Sequence, residues 1–429
     1  MVVHLKLQRD KFLISCCYKK YPQRRYRMDF SIPEKVQVIT AMMDEFVDKE
    51  LIPLEPEFLN KTFREMLPVL VEKRKMVKQM ELWAPNHPKE FGGMGLDLVE
   101  HAFVSESLGR SPIGHYVFGC QAPDAGNIEI LYKYGTDEQK EKWLRPLVGG
   151  DIRSCFSMTE IDMPGSNPVM MNATAVKDGD EYVINGHKWY TSSSDGAAFA
   201  IVMATTNPEN PPYLQTSMII VPTDTLGFNQ IRNIPVMGEA GTDYTGHGEI
   251  IYQNCRVPLT NLLGPEGHAF VIAQERLGPG RIHHCMRWLG ICKRMFDLMC
   301  KRASDRVMTP DGRTLATKQI IQAWIAECAA DIQAARLFTL HTAWKIEERG
   351  AKEAREDISL IKFYVANVMQ NVVDKALQVH GGLGMTDDSI IPYYYRHERA
   401  ARIYDGADEV HKVSVARRIL RSYKNREVR

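Results

Sequence analysis

The chain has 429 residues, 44% of them hydrophobic and 25% charged. That is long enough for two or three packed subdomains and is ordinary globular composition. Basic and acidic residues balance at 54 and 53, a net charge of +1. This excludes a charge-driven nucleic-acid binder, and no apolar run approaches the roughly 18–20 residues of a transmembrane segment. The nine cysteines are scattered without a C-x-x-C. Their spacing suits neither a disulfide framework nor zinc, and points to a reducing interior.

Residues 1–33 form a basic tail. Lys6, Arg9, Lys11, Lys19, Lys20, Arg24, Arg25 and Arg27 face one acid, Asp10, within the first 27 positions. The bias is that of a mitochondrial transit segment, though serine is scarce. The alternative is a simple basic extension, with a peroxisomal or cytoplasmic location. The terminal R-E-V-R is not a peroxisomal address.

Residues 34–150 read as a helical domain. Apolar residues in E-K-V-Q-V-I-T-A-M-M-D-E-F recur at spacings of three and four. Asp97 and Thr136 are placed to cap further helices. Residues 151–262 change to short apolar or alternating runs separated by Asn, Gly, Pro and Asp, which predicts antiparallel strands in a small barrel or sandwich. Within them Asn185-Gly186 reads as a hairpin turn. From residue 263 to 429 helix returns. The stripe Ile321, Ile325, Cys328, Ile332, Ala335 predicts a bundle. The fold class is mainly α with a middle β domain.

Motifs for a Rossmann or P-loop nucleotide site, a zinc protease and a serine hydrolase are absent. The adjacent His283 and His284 point to different helix faces and make a poor chelate. Four segments remain. C-F-S-M-T-E (155–160), followed by P-G-S-N, offers Thr159 and Ser166 near exposed backbone, or is an ordinary strand and turn. I-N-G-H-K-W-Y-T-S-S-S (184–194) sets an aromatic pair before hydroxyls, or is a buried aromatic with a polar loop. L-Q-V-H-G-G-L-G-M (377–385) ends a helix on two glycines. These allow close phosphate approach or merely cap the helix. R-I-Y-D-G-A-D-E-V-H-K (402–412) holds Asp405, either a catalytic base or part of a charged helix start.

In this order the four segments resemble the acyl-CoA dehydrogenase family over about residues 34–425. The phrase R-L-G-P-G-R-I-H-H-C-M-R (276–287) resembles the branch of family members ten and eleven. That branch usually carries a kinase-like domain upstream, which has no counterpart in these 429 residues. The resemblance implies a helical domain, a β domain and a four-helix bundle. It implies FAD between the last two and a fatty acyl-CoA against the flavin. It further implies electrons leaving to an electron-transferring flavoprotein, and a homodimer or homotetramer.

Residue by residue, it implies flavin contacts from Phe156, Met158, Thr159, Tyr190 and Ser192. Ser166 would touch the pyrophosphate and the CoA side. Arg306, Gln378, Gly381 and Gly382 would meet a neighbouring subunit's FAD. Ala407 and Glu409 would touch FAD beyond the base. Arg281 would lie near the catalytic carboxylate, and Gly406 beside the substrate. The base itself would be Asp405, where most of the family has glutamate. One methylene shortens its reach by roughly 1.5 Å. The implied reaction removes an α-proton and a β-hydride from the thioester to give the trans-2-enoyl-CoA, as in fatty acid oxidation. Two other readings stand beside it: an oxidase on the same fold, as in nitroalkane oxidase, and a silent FAD-binding assembly protein.

Overall fold

A computed structural model describes residues 31–424. The expected transit segment in residues 1–27 lies outside them. The first layer is helical. Helix α1 (Glu34–Phe46) buries Val36, Ile39, Met43 and Phe46 on one stripe. Helix α2 (Phe63–Gln79) opens on a reciprocal capping box between Thr62 and Glu65. Helix α3 (Leu98–Leu108) repeats the device with Asp97 and Glu100, satisfying amides that would otherwise lack partners. Helix α4 (Asp124–Tyr134) completes the wall that meets the sheet.

The middle region is one sheet of eight strands: β1 (Ser154–Ser157), β2 (Thr174–Asp178), β3 (Glu181–Ser192), β4 (Phe199–Thr205), β5 (Thr216–Pro222), β6 (Phe228–Asn233), β7 (His247–Pro258) and β8 (Leu262–Leu263). The order is β6-β7-β3-β2-β4-β5-β8, with β1 alongside β4. The sheet is mixed, not antiparallel throughout. β1 runs parallel to β4, with Ser154 opposite Phe199, and β2 touches β4 in parallel through Thr174 and Thr205.

The hairpin expected at Asn185-Gly186 is not there. The β2–β3 turn lies between Asp178 and Glu181, which pair directly. Strand β3 runs through Asn185-Gly186 with a register shift against β7. The glycine serves close packing, since a Cβ on Gly186 would sit 2.5 Å from the Ala173 methyl. The Asn185 side chain accepts the Asn254 amide at 2.8 Å.

Strand β4 shows why its run of six apolar residues is unbroken. Phe199, Ile201 and Met203 pack into the core shared with the N-terminal helices. Ala200, Val202 and Ala204 face a second core closed by Tyr182, Ile184 and Tyr252. Both faces are dry, so alternation disappears.

The last region packs helices α5 (Ala269–Asp305), α6 (Gln319–Arg349) and α7 (Ala351–His380) around Trp288, Met295, Met369 and Val372. Short helix α8 (Ile391–His397) and helix α9 (Asp408–Lys424) follow. Among the described residues no helix is long and apolar enough to cross a membrane.

Helix α5 crosses α3 at glycine contact. A Cβ on Gly290 would lie 2.3 Å from the Glu106 carbonyl and 2.7 Å from Gly109 Cα. Backbone cannot yield as a side chain can. Gly290→Ala is therefore expected to cost about 1–3 kcal/mol, the usual penalty of overpacking. Gly278→Ala, in the same helix with no atom within 4 Å of its Cβ, is expected to be neutral or stabilising. Thermal unfolding of the two variants side by side checks this.

Candidate active site

The segment between α8 and α9 combines backbone irregularity with charge. Asp405 has φ 54° and Gly406 φ 101°, two successive left-handed residues. For a non-glycine residue this conformation costs about 1–2 kcal/mol. Three cationic or ring groups hold it. Arg281 Nε, from α5, donates to the Asp405 carbonyl at 2.9 Å. His411 Nε2, from α9, lies 3.2 Å from the same oxygen. Lys362 Nζ, from α7 and fully buried, donates to the carbonyls of Ala401 at 2.7 Å and Gly406 at 3.2 Å.

The Asp405 carboxylate is turned toward α5. Its Oδ2 lies 3.2 Å from His284 Nε2. Burial pushes the carboxyl up. The contact with His284, then the charges of Arg281 and Arg276, outweigh burial and hold it below the ordinary aspartate range. His284 itself is lowered, chiefly by burial. The pair is thus a carboxylate with a neutral imidazole 3.2 Å from Oδ2.

His284 is fixed by rings. It stacks on Trp288 with centroids 5.7 Å apart and tilts against Tyr404 at 4.7 Å. Glu398 anchors this cage. It accepts from Arg287 Nη1 and Nη2, at 2.5 and 2.9 Å, and from Trp288 Nε1 at 3.0 Å. Arg287 also donates to the Tyr404 hydroxyl at 3.2 Å.

The acids after Asp405 divide. Asp408 is buried, accepting from Arg402 Nε at 2.8 Å and Asn367 Nδ2 at 2.9 Å. Glu409 is exposed and Ala407 half-buried. Both acids open helix α9, where they suit its dipole, Asp408 buried and Glu409 exposed.

The sheet contributes the opposite wall. Arg276 lies 4.0 Å above the Phe156 ring, joining β1 to the surroundings of Asp405. The ends of β1 and β3 are tied by a buried ion pair. Lys188 Nζ donates to the Met158 carbonyl at 3.0 Å and to Glu160 at 2.9 Å. Burial depresses Lys188 to about 8 against the pull of Glu160. The Trp189 amide donates to the Thr159 carbonyl at 2.8 Å. Tyr190 stands in a bulge of β3 at φ 55° and is half exposed. Trp189 instead lies under Arg232, 5.5 Å from its guanidinium. Ser192 Oγ is 2.8 Å from His247 Nδ1. Ser166 is exposed on a loop whose Gly165 would bring a Cβ within 3.3 Å of the Thr159 methyl.

A separate cleft of about 480 Å³ opens at one end of the bundle. It gathers Arg306, Gln378, Gly381 and Gly382, with Arg302 and Trp324, and includes neither Asp405 nor the sheet residues. Arg302 Nε is buried without a partner. Cβ atoms on Gly381 and Gly382 would meet nothing within 4 Å.

Sequence reasoning passed over His284, Glu398, Lys362 and Arg276. A signal existed for the first: Arg281, His284 and Trp288 at i, i+3 and i+7 share one helix face. Glu398 and Lys362 become site residues only through tertiary packing.

The chain matches the family model for the acyl-CoA dehydrogenase N-terminal domain over residues 33–151. The middle-domain model matches residues 155–255 and the C-terminal model residues 267–420. FadE2 of Mycobacterium tuberculosis is 42% identical over 91% of this chain and 96% of its own length. Acyl-CoA dehydrogenase family member 11 of Gallus gallus is 39% identical over 89% of this chain. This chain spans about half the length of that relative, 50%. A solved structure from Mycobacterium abscessus is 38% identical, with TM-score 0.87, over 92% of this chain and all of that one. The three consecutive domain matches and the two close relatives place this chain in the acyl-CoA dehydrogenase family of FAD-dependent oxidoreductases.

Proposed function

We propose that the protein catalyses α,β-dehydrogenation of a fatty acyl-CoA, with Asp405 as the base that removes the α-proton. The observation that carries this reading is the left-handed Asp405-Gly406 turn, fixed from three helices beside a carboxylate kept ionised. Strain of this kind persists where surrounding structure over-determines it, and it clusters at functional sites.

The residues present fit FAD. The bundle cleft offers Arg306, an Arg302 Nε without a partner and an open glycine backbone. These suit pyrophosphate and nucleotide oxygens, for which a guanidinium is a better partner than an ammonium. The sheet wall offers Phe156, Met158, Thr159, Tyr190 and Ser192 for the ring system. When bound, FAD supplies the acceptor for the β-hydride.

The chain's own work is placement and charge. A carboxylate near pKa ~4 is a weak base for a thioester α-proton. Hydrogen bonds to the thioester oxygen that strengthen as enolate charge develops lower that barrier. The Asp405 amide is positioned by the same fixed turn as the carboxylate. An acyl chain that excludes water removes solvation from the carboxylate and raises its basicity.

Electron-transferring flavoprotein as the electron acceptor follows from the family resemblance. So does a homo-oligomer in which the Arg306 cleft of one copy serves the cofactor of another. That the cleft and the Asp405 cluster share no lining residue supports such an arrangement.

A spectrum of the purified protein, then anaerobic titration with butyryl-, octanoyl- and palmitoyl-CoA, tests the proposal. Asp405→Asn is expected to keep FAD and acyl-CoA binding while flavin reduction falls at least ~100-fold, the low end for a lost general base. Reduction at the normal rate would remove Asp405 from the mechanism. Arg306→Ala is expected to loosen FAD by roughly ten- to a hundredfold, the equivalent of ~1.5–3 kcal/mol for a charged hydrogen bond. Equilibrium dialysis of the flavin measures this.

A further inference from the structure

The base reading leaves one buried titratable group beside Asp405 without a role. His284 is the carboxylate's sole partner within ion-pair range among the described residues. Its ring cannot swing freely. Trp288 stacks on it and Tyr404 flanks it, and Glu398 holds Trp288 through the indole N–H. Helix spacing sets Arg281, His284 and Trp288 on one face of α5, so backbone and side chain of Asp405 are gripped from the same helix surface. Arg281 takes the main-chain oxygen, and His284 takes Oδ2.

Resting on Asp405 as base, we propose that His284 is a positioning residue: its Nε2–H holds Oδ2 and leaves Oδ1 to receive the substrate α-proton. In the step, the α C–H bond breaks and an O–H bond forms on Oδ1. The bonding pair stays on the substrate, and His284 keeps its own proton throughout. The device answers the short side chain. Asp405 has only two rotatable bonds, χ1 and χ2, between a fixed backbone and its carboxyl oxygens, so an anchor that fixes one oxygen also sets where the other points.

Burial favours a neutral His284, while the charges around it divide: Asp405 raises the ring and Arg287 and Lys362 lower it. Arg281 and Arg287 face it from α5 and Lys362 from α7. His411 faces from α9, and Tyr404 and Glu398 from the connecting segment. Burial, helped by the cations Arg287 and Lys362, outweighs the pull of Asp405 and keeps the ring below its ordinary range, so it donates without carrying charge at neutral pH.

The test compares FAD-loaded wild type, His284→Leu, His284→Gln and Asp405→Asn in anaerobic single-turnover reduction by octanoyl-CoA across pH. His284→Leu is expected to lose about 10- to 100-fold in reduction rate, the scale of an ångström misplacement. Its FAD content and octanoyl-CoA binding should stay normal. A base titration should also move to higher pH, because burial then acts on the carboxyl without its main opposing hydrogen bond. His284→Gln, which keeps an N–H at similar reach, should recover most of the rate. Wild-type rate and an unshifted pH profile in His284→Leu would overturn the proposal. So would His284→Gln proving no better than His284→Leu at equal FAD content. If His284→Leu does not hold FAD, the rate and pH profile of His284→Gln against His284→Asn, whose donor sits one methylene further back, decide in the same way. Asp405→Asn separates the two claims. Normal reduction there defeats the base reading itself, whereas a silent Asp405→Asn beside a normal His284→Leu defeats only the positioning role.

Discussion

The left-handed turn at Asp405-Gly406 is the constraint on which the rest of the site depends. It gathers α5, α7 and α9 onto two carbonyl oxygens through Arg281, Lys362 and His411. A charged hydrogen bond contributes ~1.5–3 kcal/mol, while one left-handed residue costs ~1–2. Two such bonds offset the strain, and the excess makes the turn a fixed point. Lys362 shows what this demands of the core. An ammonium buried completely needs partners for its protons, and two main-chain oxygens supply them.

A rigid backbone matters more with aspartate than with glutamate. A longer side chain can search for its target, whereas a short one goes where its Cα points. The third layer follows from this need. Glu398 binds Arg287 and Trp288, Trp288 and Tyr404 enclose His284, and His284 meets the carboxylate. Each link orients the next, as supporting shells must do where a reactive group is held to within about half an ångström.

Much of this was legible in the chain and some was not. The helix-to-strand-to-helix order and the caps at Asp97 and Thr136 follow from periodicity and capping chemistry, and they stand in the structure. The gathering of Arg306, Gln378, Gly381 and Gly382 came from resemblance, because no local pattern brings residue 306 beside residue 381. Asn185-Gly186 misled because the dipeptide fits a turn as well as a bulge. Only the Ala173 methyl across the sheet decides between them. The mixed sheet was equally hidden, since β1 and β4 are parallel neighbours separated by a long excursion. Asp408 reads from the chain as part of a helix start, and nothing local shows that it is buried. Its burial depends on Arg402 and Asn367, and Asn367 is supplied by another helix.

The other buried carboxylates around the site differ from Asp405 in what an arriving proton would displace. Glu398 is locked bidentate to Arg287. Asp408 is bonded to Arg402 Nε, and Glu160 holds Lys188 and two backbone amides. A proton arriving at any of these must displace a cation at contact distance, leaving that charge unpaired in a low-dielectric interior. At Asp405 the nearest guanidinium spends its Nε on the main-chain oxygen. The carboxylate meets only a ring N–H, and the side chain keeps 21% of its surface open. Protonation there leaves no buried cation without its contact partner. The proposed donation from His284 to Oδ2 survives it, since a carboxylic acid still has an oxygen to accept with.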